Sequence, residues 1–208
     1  MRTLGRCVSL ALAIAAAHLC VAASGKESRD AWQQPARVVE DLGLKDGSHI
    51  ADVGCGRGYF TFRLGKAAGP KGKVFAVDIN AKVLKAVSDR VKRDKLANIE
   101  TVLSQPTDTK LKSESLDSAL LANVLHHVPK NIRPGLVKDT VRALKPGGYL
   151  FIVDWRFKAK IRQDIGRRIP RDDLVKLATD AGLKLDAEFY YLQHQVFLRW
   201  RKPAKQGG

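Results

Sequence analysis

The sequence predicts an α/β fold, with a doubly wound, mostly parallel seven-stranded sheet and an antiparallel C-terminal strand. Three observations carry this. Short apolar runs alternate along the chain with segments of helical period. Glycine- or proline-bearing breaks close several of the helical segments, at Gly43, Pro146-Gly147-Gly148 and Gly182. The last two apolar runs are separated only by a short polar turn, which reads as a hairpin. Strands alternating with helices imply parallel pairing with right-handed crossovers, and the hairpin reverses the final strand.

The elements follow in order. Ser24 to Pro35 is a polar lead-in containing Trp32, and Ala36 to Leu42 has a short helical pattern. His49 to Val53 is a strand that runs into a glycine cluster, followed by a helix from Tyr59 to Ala67. Lys73 to Asp78 reads as a buried strand. The helix Ala81 to Lys95 spaces Val83, Leu84, Val87 and Val91 along one face. Strands are expected at Asn98 to Leu103 and Leu116 to Ala122. A helix from Ile132 to Leu144 is expected to stop at the Pro-Gly-Gly, before a strand from Tyr149 to Asp154. A helix from Arg171 to Ala181 precedes the closing runs Leu185 to Tyr191 and Gln195 to Trp200.

The chain has 208 residues, long enough for one domain with a sizeable core and no need of disulfides. Hydrophobic residues make up 45%, which excludes wholesale disorder. Lys and Arg number 37 against 21 acids, a formal net charge of +16. Such a charge bears on partners rather than on fold, and suggests nucleic acid, an acidic membrane surface or an anionic small molecule.

Residues 1–23 are set apart as a signal peptide or N-terminal anchor. Arg2 and Arg6 precede an apolar run to Ala17, and small residues follow at Val21-Ala22-Ala23-Ser24. Basic start, short apolar stretch and small-residue end are the layout of an export signal. The run is short for a membrane span of roughly 20 residues. A buried N-terminal helix of the domain and an organelle address are the remaining alternatives. The expected domain is therefore 24–208. Its only cysteine is Cys55, so cysteine usage is silent on redox compartment.

The sharpest motif is Asp52-Val53-Gly54-Cys55-Gly56-Arg57-Gly58, placed between a strand and a helix. Glycines permit backbone angles other residues resist and let a ligand approach the main chain. Asp78 ends the next strand, 20 residues after Gly58. A carboxylate there can accept both hydroxyls of a ribose. A dinucleotide fingerprint needs G-x-G-x-x-G, but Tyr59 occupies its last position and the third glycine comes one residue early. No Gly-Lys-Ser/Thr follows, so a P-loop is also excluded.

These residues, with Val77-Asp78, Leu116 to His127 and Leu144-Lys145-Pro146-Gly147-Gly148-Tyr149-Leu150, resemble the class I S-adenosylmethionine-dependent methyltransferases, specifically the compact small-molecule type. The resemblance runs from about Trp32 to Trp200. It implies a Rossmann-like methyltransferase fold and S-adenosyl-L-methionine as cofactor. It further implies that Gly54, Cys55, Gly56 and Gly58 form the loop around the methionine part and that Asp52 orders that loop. Asp78 would bind the ribose and Ile79 would pack on the adenine. Gln105 stands where many members place an acid near the adenine amino group, and its amide oxygen can accept that hydrogen bond. Asn123 would lie beside the transferred methyl.

Three residues are candidates for catalysis: Asn123, His126 and Asp154. His126 and His127 are adjacent, so one should pack inside while the other faces the cleft, and the pair alone makes no metal site. Asp154 ends the fifth strand and could orient or deprotonate an acceptor. Trp32, Gln33 and Gln34 could close over the cofactor. Trp155 to Arg171 holds seven Lys or Arg against one Asp, a basic segment that could meet phosphate or a membrane surface.

The sequence thus suggests methyl transfer to a small, possibly anionic acceptor. An RNA or DNA methyltransferase using the basic surface, or a non-catalytic S-adenosylmethionine-binding protein, are the alternatives. The amino-terminal segment suggests export to the periplasm or beyond, or else membrane anchoring or an organelle.

Overall fold

The computed structural model describes residues 28–159 and 167–204. The expected signal or anchor, and Lys160 and Arg162 of the basic segment, lie outside the described residues. Seven strands form one sheet in the order β3-β2-β1-β4-β5-β7-β6. These are β1 (His49–Val53), β2 (Lys73–Asp78), β3 (Ile99–Leu103), β4 (Leu116–Ala122), β5 (Leu144–Trp155), β6 (Lys184–Phe189) and β7 (Gln195–Arg201). β3, β2, β1, β4 and β5 pair in parallel, while β7 runs antiparallel to both β5 and β6. This is the doubly wound sheet with reversed C-terminal strand that the alternation predicts.

Six helices accompany it: α1 (Arg29–Gln33), α2 (Pro35–Asp41), α3 (Thr61–Ala68), α4 (Ala81–Arg93), α5 (Arg133–Ala143) and α6 (Arg171–Asp180). Pro35 suits the first turn of α2, where a missing N–H costs nothing. Asn80 caps α4 by accepting from Lys82 N. One layer of the core joins α5 and α6 to the sheet through Leu121, Ile152, Val137, Leu174 and Trp200. The other joins α2 and α3 through Val38, Leu64, Ile50, Phe151 and Phe197.

Two segments differ from expectation. The lead-in before Pro35 contains α1, whose single large apolar residue, Trp32, is too little to show a helical period. It is capped by Ser28 Oγ, which accepts from Ala31 N. The Pro146-Gly147-Gly148 break lies inside β5 rather than between a helix and a strand. Pairing overrides the local signal: Leu144 aligns with Leu116, and Gly147 N and Gly148 O both bond to Lys202. A Cβ at Gly148 would sit 2.9 Å from Lys145 O and 3.0 Å from Asp117 O, so the stretch needs glycine there.

The strand order reverses direction at β1. From β1 the chain builds outward through β2 to β3, then returns to the opposite side with β4. Connections leaving β1 and β4 therefore diverge and open a crevice at the carboxyl ends of these strands.

Phe151 is fully buried at the centre of the α2/α3 layer. Phe151→Ala should cost about 3–5 kcal/mol of unfolding free energy. Urea denaturation followed by circular dichroism would measure it.

Candidate functional site

β1 ends because the Gly54 and Cys55 N–H groups both turn onto Val77 O, at 2.8 and 3.0 Å. The chain crosses the end of β2 at that point. Gly54 has φ +75°, and a Cβ on it would lie 2.6 Å from Val124 Cγ2. Gly56 N donates to Asp78 Oδ2 at 2.9 Å, and Asn80 N donates to Asp78 Oδ1 at 2.9 Å. Asp78 thus holds the loop on one side and the start of α4 on the other, and each oxygen keeps a further lone pair.

The loop forms one wall of a cavity of about 850 Å³. Of the residues singled out from the sequence, Asp52, Gly54, Cys55, Gly56, Asp78, Ile79, Gln105 and Asn123 line it. Ile79 is 63% exposed, an apolar surface facing the crevice. Gln105 is fixed by main-chain hydrogen bonds with Asp108 in both directions.

Gly58 is different. It does not line the cavity, and a Cβ there would lie 2.5 Å from Phe62 Cε2 at φ +81°. It is a glycine so that α3 can pack, and its place in the loop motif does not bring it to the ligand side.

Asp52 is almost wholly buried and accepts Thr61 Oγ1–H at 2.6 Å. Burial pushes its carboxyl up to about 6, against the lowering effect of the Thr61 bonds. Burial and the two nearby carboxylates also push the Cys55 thiol well above its ordinary range. A thiol held protonated is no nucleophile, so Cys55 fills space in the loop.

Asn123 sits just past β4 in a left-handed conformation, φ +60°, with its N–H on Val153 O. Its side chain joins two fully buried amides: Gln195 Nε2 donates to Asn123 Oδ1, and Asn123 Nδ2 donates to Gln33 Oε1 at 3.4 Å. Gln33 Nε2 and Gln195 Oε1 are buried and have no hydrogen-bond partner among the described residues. Gln33 comes from α1 and Gln195 opens β7, so three distant segments meet here.

His126 and Asp154 are placed behind the cavity wall, not in it. They are 2% and 1% exposed, and His126 Nδ1 lies 2.6 Å from Asp154 Oδ1. The same carboxylate accepts the N–H groups of Trp155 and His126. Leu125–His127 is a single 3₁₀ turn, and the two imidazole rings stay in contact, their centroids 3.9 Å apart. His126 enters the interior and His127 lines the cavity. Arg167 Nη1 lies 3.3 Å from His127 Nδ1.

Trp32 packs on Trp155, with ring centroids 5.0 Å apart, and does not reach the cavity. Its helix brings Arg29 there instead. Tyr59, Phe60, Val128, Pro129, Ile132 and Leu136 complete a largely apolar lining. Sequence reasoning missed Arg29, Gln195 and this apolar wall.

Residues 50–148 match the family described as a methyltransferase domain. Over 128 residues the chain is 29% identical to the demethylmenaquinone methyltransferase of Staphylococcus aureus; that match covers 62% of this chain and 51% of the relative. The chain thus spans about half the length of the curated relatives it matches. Among solved structures, a SAM-dependent methyltransferase from Aquifex aeolicus superposes with a TM-score of 0.74 at 24% identity, over 80% of this chain and 88% of that one. The 4+2 cyclase SpnF gives 0.73 at 15% identity, over 87% and 85%. These superpositions concern the fold.

Asp52 yields a pH prediction. Its folded pKa of about 6 lies above the ordinary aspartate value of 3.8. The folded chain then holds this proton more tightly than the unfolded chain, so stability falls as pH rises between about 4 and 6. Asp52→Asn keeps an acceptor for Thr61 and removes the ionisation. Urea denaturation at pH 4 and pH 7 should show the wild type losing on the order of 1–3 kcal/mol more than the variant over that interval. Equal losses would contradict the assignment.

Proposed function

We propose that this chain, whose residues 50–148 match a methyltransferase domain, is a class I S-adenosylmethionine-dependent methyltransferase that transfers the methyl group of S-adenosylmethionine to a small, largely apolar acceptor. One observation carries the reading: the glycine loop, Asp78, Ile79, Gln105 and Asn123 line a single cavity at the point where the strand order reverses. A volume near 850 Å³ is toward the upper end of the range for small-molecule sites, about 300–1,000 Å³.

The residues fit this cofactor. The Gly54 backbone lies against Val124 with no room for a Cβ, as a cradle for close main-chain approach requires. Asp78 keeps lone pairs for the two ribose hydroxyls. Ile79 offers an apolar face to the adenine, and the Gln105 side chain an acceptor for its amino group.

When bound, the cofactor supplies a methyl group already activated by its sulfonium. The protein's task is then alignment, and proximity with orientation can supply much of the rate. Asn123 is the group that fixes the reacting end, since its left-handed backbone and two amide partners leave its carboxamide little freedom. His127 lines the cavity next to Asn123, and Arg167 Nη1 lies 3.3 Å from its Nδ1. His126 and Asp154 act as positioning residues that hold the turn between Asn123 and His127.

The apolar lining supports an acceptor of the chemical class named for the Staphylococcus aureus relative, a quinone-like small molecule. Arg167 beside the cavity, with Arg156 and Lys158 after β5, suits an anionic group on the acceptor or an anionic surface near it. The amino-terminal segment supports export or anchoring of the domain.

Titration calorimetry tests the reading. The full chain should bind S-adenosylmethionine and S-adenosylhomocysteine at sub-millimolar concentration. Asp78→Ala should weaken both by about tenfold or more, since hydrogen bonds to a charged group are worth about 1.5–3 kcal/mol each. Asp154→Asn should change binding far less. No binding by the wild type would sink the proposal, and equal effects of the two substitutions would contradict the roles given.

A further inference from the structure

Exposed aromatic rings and cations share one rim of the molecule. Residues 156–159 follow β5, residues 167–168 precede α6, and residues 190–194 turn from β6 into β7. These segments hold Arg156, Lys158, Arg167 and Arg168 and no Asp or Glu. β5 and β6 both run antiparallel to β7, so all three segments lie at the carboxyl ends of β5 and β6. The cavity opens at that same end of the sheet. Arg167 makes the join, with Nη1 3.3 Å from Nδ1 of the lining residue His127.

Phe157 is 57% exposed and Tyr190 72%. The exposure of Phe157 is held in place. Arg168, itself buried, donates from Nη1 to Ala159 O at 2.7 Å and to Phe157 O at 3.5 Å. On the other side, Arg156 donates from its main-chain N to His194 O at 2.9 Å and from Nε to Leu192 O at 3.3 Å. The loop is thus tied by its carbonyls and by Arg156, while its one apolar ring stays in water. Lys158 beside that ring is exposed and makes no hydrogen bond or ion pair among the described residues. Aromatic rings flanked by long cations are the groups that settle at a membrane interface, with rings at the headgroup boundary and charges on anionic headgroups. The cavity continues the same character inward: Val128, Pro129 and Ile132 line it just after His127. A surface for nucleic acid has no use for an apolar passage of this kind.

We propose that this rim docks on an anionic lipid bilayer. Phe157 and Tyr190 enter the headgroup boundary, and Arg156, Lys158 and Arg167 face anionic headgroups. An apolar acceptor then passes from the lipid to the cavity beside His127 without crossing bulk water. That purpose rests on reading the cavity as a methyltransferase site with an apolar acceptor, whereas the docking is measured without it.

The test is co-sedimentation of the full chain with phosphatidylcholine vesicles, with and without phosphatidylglycerol. Binding should rise with the phosphatidylglycerol fraction and fall with added salt. The double variant Phe157→Ala, Tyr190→Ala should bind mixed vesicles about tenfold or more weakly. Lys158→Glu with Arg167→Glu should lose about tenfold or more on mixed vesicles and little on phosphatidylcholine alone. The aromatic double variant should bind S-adenosylmethionine like the wild type in calorimetry, which shows that it is folded. Phe157→Trp reads the position itself, whatever the amino-terminal segment does: brominated lipid should quench fluorescence beyond that of the native tryptophans. Absence of that added quenching, or equal vesicle binding by the wild type and both double variants, overturns the proposal. So does binding of a polyuridine RNA that both double variants lose while their vesicle binding persists. A wild-type chain that docks on vesicles but binds no S-adenosylmethionine overturns the cofactor reading and leaves the docking surface standing.

Discussion

Two N–H groups on one carbonyl oxygen hold the site together. Gly54 and Cys55 both donate to Val77 O, so the chain leaving β1 cannot continue as a strand and folds over the end of β2. That fold brings Gly56 within reach of Asp78, whose second oxygen secures the start of α4. Only a residue tolerant of positive φ and lacking a Cβ can sit at the bend, because Val124 closes it from the β4 side. The loop is therefore fixed jointly by β1, β2 and the segment after β4. Burial of Asp52 beneath it, at a cost to that carboxylate, follows from the same geometry.

The floor of the cavity has a second logic. Asn123 stands in a backbone conformation that asparagine adopts more readily than most residues, and its side chain is caught between amides from opposite ends of the chain. Buried amides are worth their desolvation only when hydrogen-bonded. The arrangement couples α1 to the β7 end of the sheet. Behind it, Asp154 accepts from the His126 ring and from two main-chain N–H groups, which fixes the turn from its inner side. The residues lining the cavity are thus supported by polar groups that do not line it.

The basic charge contributes differently. Several of its members form exposed ion pairs, such as Lys85 with Asp89 and Lys176 with Asp180. Each is worth little in water. Others are consumed by structure: Lys202 Nζ bonds Val141 and Leu144 carbonyls at the start of β5. The charge is largely a property of the surface, and among the described residues it reaches the cavity lining through Arg29 and Arg57.

How much was legible follows from how local each signal is. The strands β1, β2 and β4 stand where their apolar runs stand, since a buried parallel strand is a short apolar segment whatever surrounds it. The glycine loop and Asp78 were readable for a related reason: a tight turn and a strand-end carboxylate are fixed by residue type and spacing. Gly58 shows the limit, because motif membership did not reveal that its missing Cβ serves Phe62. The Pro-Gly-Gly stretch reads locally as a break, yet pairing with β4 and the segment after β7 keeps it extended. The histidine pair could be divided into one inside and one outside, but which was which depended on a single 3₁₀ turn. Arg29, Gln33 and Gln195 carry no motif at all. Gln33 and Gln195 meet Asn123 only because the reversed β7 strand begins beside the end of β5 and α1 folds back over α3. By itself the sequence determined the order of the elements and the cofactor-type loop, which are set by contacts within a few residues. The tertiary structure alone decided which polar groups share the cavity, because that depends on chain segments brought together across more than a hundred residues.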